Sequence, residues 1–319
     1  MFTLPPDESY DAAQLEGSSD ENPIVLFGES ADDFAILLDA LYALPPQLAA
    51  FHSNTAPLDV LLTLTSLLNK YQFSTTCEWA LVALYRVVSG HYGTPPAIED
   101  ISLLERIVEV ACVCNYAELR EWVEEKWISR ILQSPGGWAE REARFAINAA
   151  DTWGLKKLGA MAYYSLLLES NDKISPTYSP PQGVSAEDEA PQPPPLSSSQ
   201  IFRALSGHMS LVNLWETIRI SPPTFARPEG CVFHSQGCVS AWSSAWAEAV
   251  RSELTLGRHK SCHVLGRLKV IEDQLTANTD LQCALTPACR KRAIAAVREL
   301  HAKVVNELPQ HFQNDMAVA

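Results

Sequence analysis

Apolar side chains along this chain recur mainly at three- and four-residue intervals, the spacing that gathers them on one face of an α-helix. Phe34, Leu37, Leu38 and Leu41 form the first set; Ser30 with Asp33 resembles a capping box ahead of it, and Pro45 with Pro46 stops it. Pro57 precedes an apolar helix from Leu58 to Leu68, and Thr75 with Glu78 caps a helix carrying Trp79, Leu81, Val82, Leu84, Tyr85 and Val88. The run Pro23, Ile24, Val25, Leu26, Phe27, closed by Gly28, is too short for a helix and reads as a strand.

Between Ser102 and Leu168 the pattern repeats. Val108, Val110, Cys112, Tyr116, Leu119, Trp127, Ile131 and Leu132 are echoed by Phe145, Ile147, Ala149, Trp153, Leu155, Tyr163, Leu167 and Leu168, which predicts two stacked helical hairpins. Trp122 and Trp127 are candidate anchors for a partner, against the alternative that both are core.

The pattern then breaks. Asp172 to Ser199 contains seven prolines, the acidic triplet Glu187, Asp188, Glu189 and the serines Ser197 to Ser199, with few large apolar residues. Such a segment cannot bury enough surface to fold alone, and it reads as a disordered linker between two helical blocks. Its Pro191 to Pro195 stretch favours an extended polyproline conformation, without an adjacent Arg or Lys that would mark an SH3 ligand. Beyond it the helical period returns in Ile201, Leu205, Val212, Trp215 and Ile218, then Val239, Trp242, Trp246 and Val250, then Val264, Leu268, Ile271 and Leu275. A last helix starts at Thr286 as N-cap with Pro287 in its first position and buries Ile294, Val297, Leu300 and Val304. A C-terminal helical bundle follows.

Composition narrows the function. The 319 residues are 47% hydrophobic, enough for one large or two modest cores. The acidic start, with Asp7, Glu8, Asp11 and Glu16, does not resemble a signal peptide, and no apolar run reaches the roughly 18 residues of a membrane helix, so an intracellular protein without a membrane partner is expected. Net charge is −14, but residues 1 to 200 hold 11 Lys+Arg against 28 Asp+Glu, whereas 201 to 319 hold 13 against 10. Only the back half could meet nucleic acid, and its cluster Arg290, Lys291, Arg292 reads as a solvated helix face.

The chemistry worth weighing is Cys231-x-x-His234-x-x-x-Cys238, with Cys262, His263, Cys283 and Cys289 further on. Thiolates and an imidazole in one loop could hold three corners of a zinc tetrahedron, with Cys262, Cys283 or Cys289 as the fourth. The spacing matches no standard finger, so buried free cysteines are the default and no metal or other cofactor is assigned. Phosphate-loop, dinucleotide, nucleophile-elbow and zinc-protease motifs are absent from the sequence. Cys262 and His263 are chain neighbours that point about 100° apart on a helix and rarely meet as nucleophile and base. No catalytic residue is assigned.

Pro23-Ile-Val-Leu, Phe34-x-x-Leu37-Leu38-x-x-Leu41-Tyr42, Leu67-Leu68-x-Lys70-Tyr71-x-Phe73 and Trp79-Ala80-Leu81-x-x-Leu84 resemble, in that order, a BTB/POZ domain. The turns Tyr42-Ala-Leu-Pro45 and Lys70-Tyr-Gln-Phe73 are similar to those of the expanded BTB proteins of mushroom-forming fungi. The resemblance implies a mainly α chain made of a partial α/β BTB-like domain over 1–95, stacked hairpins over 96–171, the linker over 172–199 and a helical domain over 200–319. It also implies a non-enzymatic interaction module, an adaptor recruiting clients to a cullin ubiquitin-ligase scaffold, with a transcription- or chromatin-associated role for the basic half as the alternative. The family's first strand pair and helix have no counterpart ahead of Met1-Phe2-Thr3-Leu4-Pro5. A truncated domain, doubtful homodimerisation and poorly covered Leu37 and Leu41 are therefore expected.

Overall fold

A computed structural model describes residues 17, 23–24, 28–53, 56–134, 138–169, 174–177, 179 and 191–313. The chain divides into two compact units, one of residues 1–97 with 113–116 and one of 98–112 with 117–319. Every regular element among the described residues is helical. Pro23 and Ile24 are irregular, and the rest of the strand expected there, Val25 to Phe27, lies outside the described residues. The mixed α/β segment implied by the BTB resemblance is thus met by helices in the described part of the first unit.

That unit carries α1 (Ala31–Tyr42), α2 (Pro45–Ala50), α3 (Leu58–Lys70) and α4 (Ser74–Val88). Ser30 caps α1 as its sequence suggests, accepting from the Asp33 N–H at 3.0 Å. Pro45 and Pro46 do more than stop α1: they open α2, because a proline in the first turn forfeits no helical hydrogen bond. The Thr75 cap is not used; α4 begins two residues earlier, at Ser74 behind Phe73. Helix α3 packs against both α1 and α4, and Leu61, Leu62, Leu64, Leu67, Leu68, Ala80, Leu84 and Val88 fill the seam. Leu37, expected to lack cover, is fully buried, whereas Leu41 is half-exposed.

The Lys70-Tyr-Gln-Phe73 turn is a Schellman cap. Phe73 N–H reaches back to the Leu68 carbonyl and Gln72 N–H to that of Asn69, with Gln72 in the left-handed region at φ 60°. Farther along, Trp79 Nε1 donates to His52 Nε2 at 2.8 Å and His52 Nδ1 meets the Tyr92 hydroxyl at 2.8 Å, which locks the loops around α2 and α4.

The second unit contains α5 (Ile101–Val113), α6 (Ala117–Gln133), α7 (Trp138–Trp153), α8 (Lys156–Glu169), α9 (Ser198–Ile220), α10 (Val239–Ala249), α11 (Glu253–Leu256), α12 (Val264–Ala277), α13 (Thr279–Ala284) and α14 (Pro287–His311). Helix α8 organises it. Every residue from Leu158 to Leu167 is buried, so this helix has no polar face, as a helix surrounded by others requires. Helices α6 and α7 cover part of it, and α9 and α14 cover more. The expected separation into a hairpin block and a C-terminal bundle joined by a tether therefore gives way to one core that includes both.

The flanks of the expected linker are fixed on that core. Arg144, almost fully buried, donates to the carbonyls of Ser175 (2.9 Å), Pro176 (2.9 Å) and Thr177 (3.2 Å) while pairing with Glu140 at 2.7 Å. Leu196 N–H bonds the Pro176 carbonyl at 2.9 Å, and Pro193 and Leu196 are buried. The acidic triplet at 187–189 lies outside the described residues. Trp127 is core and Trp122 half-exposed, so of the two candidate anchors only Trp122 reaches solvent.

Candidate metal centre

The loop after α9 and the start of α14 bring together sulfur and imidazole groups that are far apart in sequence. Gly230, at φ 77°, turns the chain into Cys231, and residues His234–Cys238 then wind as a single wide π-helical turn that runs straight into α10. Such wide turns are frequent at functional sites. From the other direction, Thr286 caps α14, accepting from the Cys289 N–H at 3.3 Å, which places Cys289 in the helix's first turn.

Three of these groups meet, and Cys238 adjoins one of them. Cys231 Sγ lies 3.5 Å from Cys289 Sγ and 3.8 Å from Cys238 Sγ, and His234 Nδ1 lies 3.4 Å from Cys289 Sγ. The ligand atoms of Cys231, His234 and Cys289 all fall within 4.8 Å of one another. The three cysteines are buried and His234 half-buried, its ring held edge-on by Phe225 at 5.1 Å. Arg227 Nε donates to the Cys231 carbonyl at 2.7 Å, and Arg292 Nη1 donates to the carbonyls of Ala226 and Arg227, so two arginines hold the backbone leading into Cys231.

Electrostatics distinguish the thiols. Burial pushes the Cys231 thiol up, but hydrogen bonds from Cys289, Thr286 and Cys238 and from the Phe233 N–H together hold it below the usual range. Burial pushes Cys289 up, and with its neighbours Cys231 and Cys238 carries it to about 11. Cys231 is thus the sulfur on which the surrounding donors converge.

Of the cysteines weighed from sequence as a fourth partner, only Cys289 joins the cluster. Cys283 is exposed, and Cys262 sits buried elsewhere, its thiol raised by burial. Nor does Cys262 use His263. His263 Nδ1 accepts from the Gly266 N–H at 3.2 Å, so it receives the Tyr164 hydroxyl proton at 2.8 Å rather than a thiol's. The His263 ring caps α12, a role that its position just ahead of Val264 could have suggested.

One other concavity, of about 460 Å³, is lined by Asp151, Gly159, Tyr163, Arg203 and Phe312. Its charges engage each other: Arg203 grips Asp151 through two bonds of 2.6 Å and lies over the Tyr163 ring. The basic cluster is likewise dispersed, with Arg290 bonding the Thr276 carbonyl while Arg292 turns to Ala226 and Arg227. No helix among the described residues is long and apolar enough to cross a membrane.

Comparison with known protein families, with curated proteins and with solved structures returns no match.

Proposed function

We propose that the chain is a non-enzymatic protein-interaction module, an adaptor that docks partners through an apolar stripe on α9. The stripe carries the reading. Phe202, Leu205 and Met209 stand at i, i+3 and i+7 of a 23-residue helix with 54%, 51% and 59% of their surface in solvent. The opposite face of α9, lined by Gln200, Ala204, Gly207, Leu211, Trp215 and Ile218, is the buried one. A helix apolar on both sides has one face for its own core and one for another protein, and i, i+3, i+7 anchors are how helices enter hydrophobic grooves. The order of BTB-like motifs in the first unit supports an adaptor, and a cullin scaffold is the partner that resemblance suggests.

The test immobilises the whole chain, since α8 ties the hairpins to the C-terminal helices, and compares it with a Phe202→Ser/Leu205→Ser/Met209→Ser variant. Proteins retained by the wild type, lost by the variant and then shown to bind in purified form support the reading, provided both chains melt alike. Retention of one partner set by both chains would remove the stripe from the account. Sub-micromolar binding of duplex DNA at physiological salt would favour the chromatin-associated alternative, because the back half's excess of three positive charges accounts only for weak, salt-sensitive contact.

A further inference from the structure

We infer that Cys231, His234, Cys238 and Cys289 bind one zinc ion, a structural site that fastens the turn before α10 to the first turn of α14.

The distances argue for it. Zinc at about 2.3 Å from sulfur and about 2.0 Å from nitrogen sets tetrahedral ligand atoms roughly 3.5 to 3.8 Å apart. The separations of 3.5, 3.8 and 3.4 Å around Cys231 and Cys289 are edges of that size. A disulfide would need about 2.05 Å, and all three cysteines are free. His234 presents Nδ1 to Cys289, and Cys238, 3.8 Å from the Cys231 sulfur, is the nearest thiol for the fourth corner.

The ligand types point to zinc over other divalent ions, since three thiols with one imidazole form a soft donor set that calcium, magnesium and manganese avoid. With Cys238 drawn in as the fourth ligand, no position is left for substrate or water, which is the coordination of a structural site and not a catalytic one. Binding releases the three thiol protons to solvent and leaves a net charge of −1 on the centre. Two groups stand ready for that charge: Arg227, which holds the Cys231 carbonyl, and the N-terminus of α14, whose first-turn amides favour an anion at Cys289.

The site also explains two exposed residues. Val232 and Phe233 project into solvent between the first two ligands, 76% and 67% exposed, on a loop whose described neighbours are short on regular structure. A zinc ion at its base would hold that apolar tip in place without a larger core beneath it.

To test this, the whole chain is purified under reducing conditions without chelator, its zinc is counted by elemental analysis, and cobalt(II) is then exchanged in. One zinc per chain, and the intense visible absorption of tetrahedral thiolate-bound cobalt, are the expected results. His234→Ala, altered at a half-buried position, should still fold and bind zinc more than about tenfold more weakly, whereas Cys283→Ser, outside the cluster, should bind as the wild type does. Less than about one-tenth of a zinc per chain with no cobalt signal would overturn the inference. So would equal loss of zinc in both variants, or a disulfide at Cys231 in protein isolated with its thiols blocked at lysis.

Discussion

The ring of Phe312, at the end of α14, lies directly over the bare Cα of Gly207 in α9, closer than any methyl group at that position would allow. The same ring stacks on Tyr163 of α8, with centroids 5.4 Å apart and planes 16° from parallel. Phe312 thus clamps three helices, and only glycine at 207 leaves it room. Helix propensity alone says Gly207→Ala should stabilise by about 1 kcal/mol. Here the added methyl must push a ring already stacked on Tyr163, so the expected result is destabilisation of about 1–3 kcal/mol in chemical unfolding. The sign should reverse in a Phe312→Ala background, where the clash is gone. A stabilising Gly207→Ala in the wild-type chain would show that the ring can swing aside.

The same contact shows why α9 was only half legible in the sequence. Its period pointed to Ile201, Leu205 and Val212 as core because large apolar residues are usually inside. The structure instead buries Ala204 and Gly207, whose small size lets α14 approach, and turns Leu205 outward. Helices with local signals were readable: Ser30 before α1, and Thr286 with Pro287 before α14, sit where their capping chemistry places them. Helix α8 was readable as half of a hairpin from Tyr163, Leu167 and Leu168, but not as the centre of the unit, since burial on all sides erases the contrast between faces. The metal centre divides the same way. Cys231, His234 and Cys238 share one loop and their spacing was visible, but nothing local could choose Cys289, 58 positions away, over Cys262 or Cys283.

Arg144 governs the proline-rich segment. Its guanidinium, nearly inaccessible to solvent, satisfies three consecutive backbone carbonyls at 175–177 and one carboxylate. Arg144→Leu keeps most of the volume and removes every one of those donors, leaving Glu140 and the Ser175 and Thr177 carbonyls without this partner, while Pro176 keeps its bond from the Leu196 N–H. The expected cost is about 2–4 kcal/mol, since uncompensated buried polar groups are expensive. Limited proteolysis gives a second readout: cleavage between 174 and 197 should accelerate several-fold in the variant. Unchanged cleavage there, with unchanged melting, would mean that the segment is held by Pro193 and Leu196 alone.

His263 makes the second unit acid-sensitive. Burial, followed by the nearby charges of His259 and Arg267, lowers its pKa from 6.5 to about 4, and His259, His301 and His311 are also lowered, each by burial first. A histidine depressed in the folded state takes up its proton more readily when unfolded. Between pH 6.5 and about 4 the unfolded chain therefore binds more protons than the folded one, and stability falls as the pH drops through that window. Its full contribution is present above pH 6.5. Protonation at Nδ1 would also forfeit the acceptor that caps α12 and receives Tyr164. His263→Asn retains a cap acceptor for the Gly266 N–H but cannot titrate. Its melting temperature should decline less than the wild type's on going from pH 7 to pH 4.5, by about 3 °C, with the remaining slope due to the other titrating groups common to both chains. Parallel pH profiles for the two proteins would show that His263 is not the group whose protonation opens the fold.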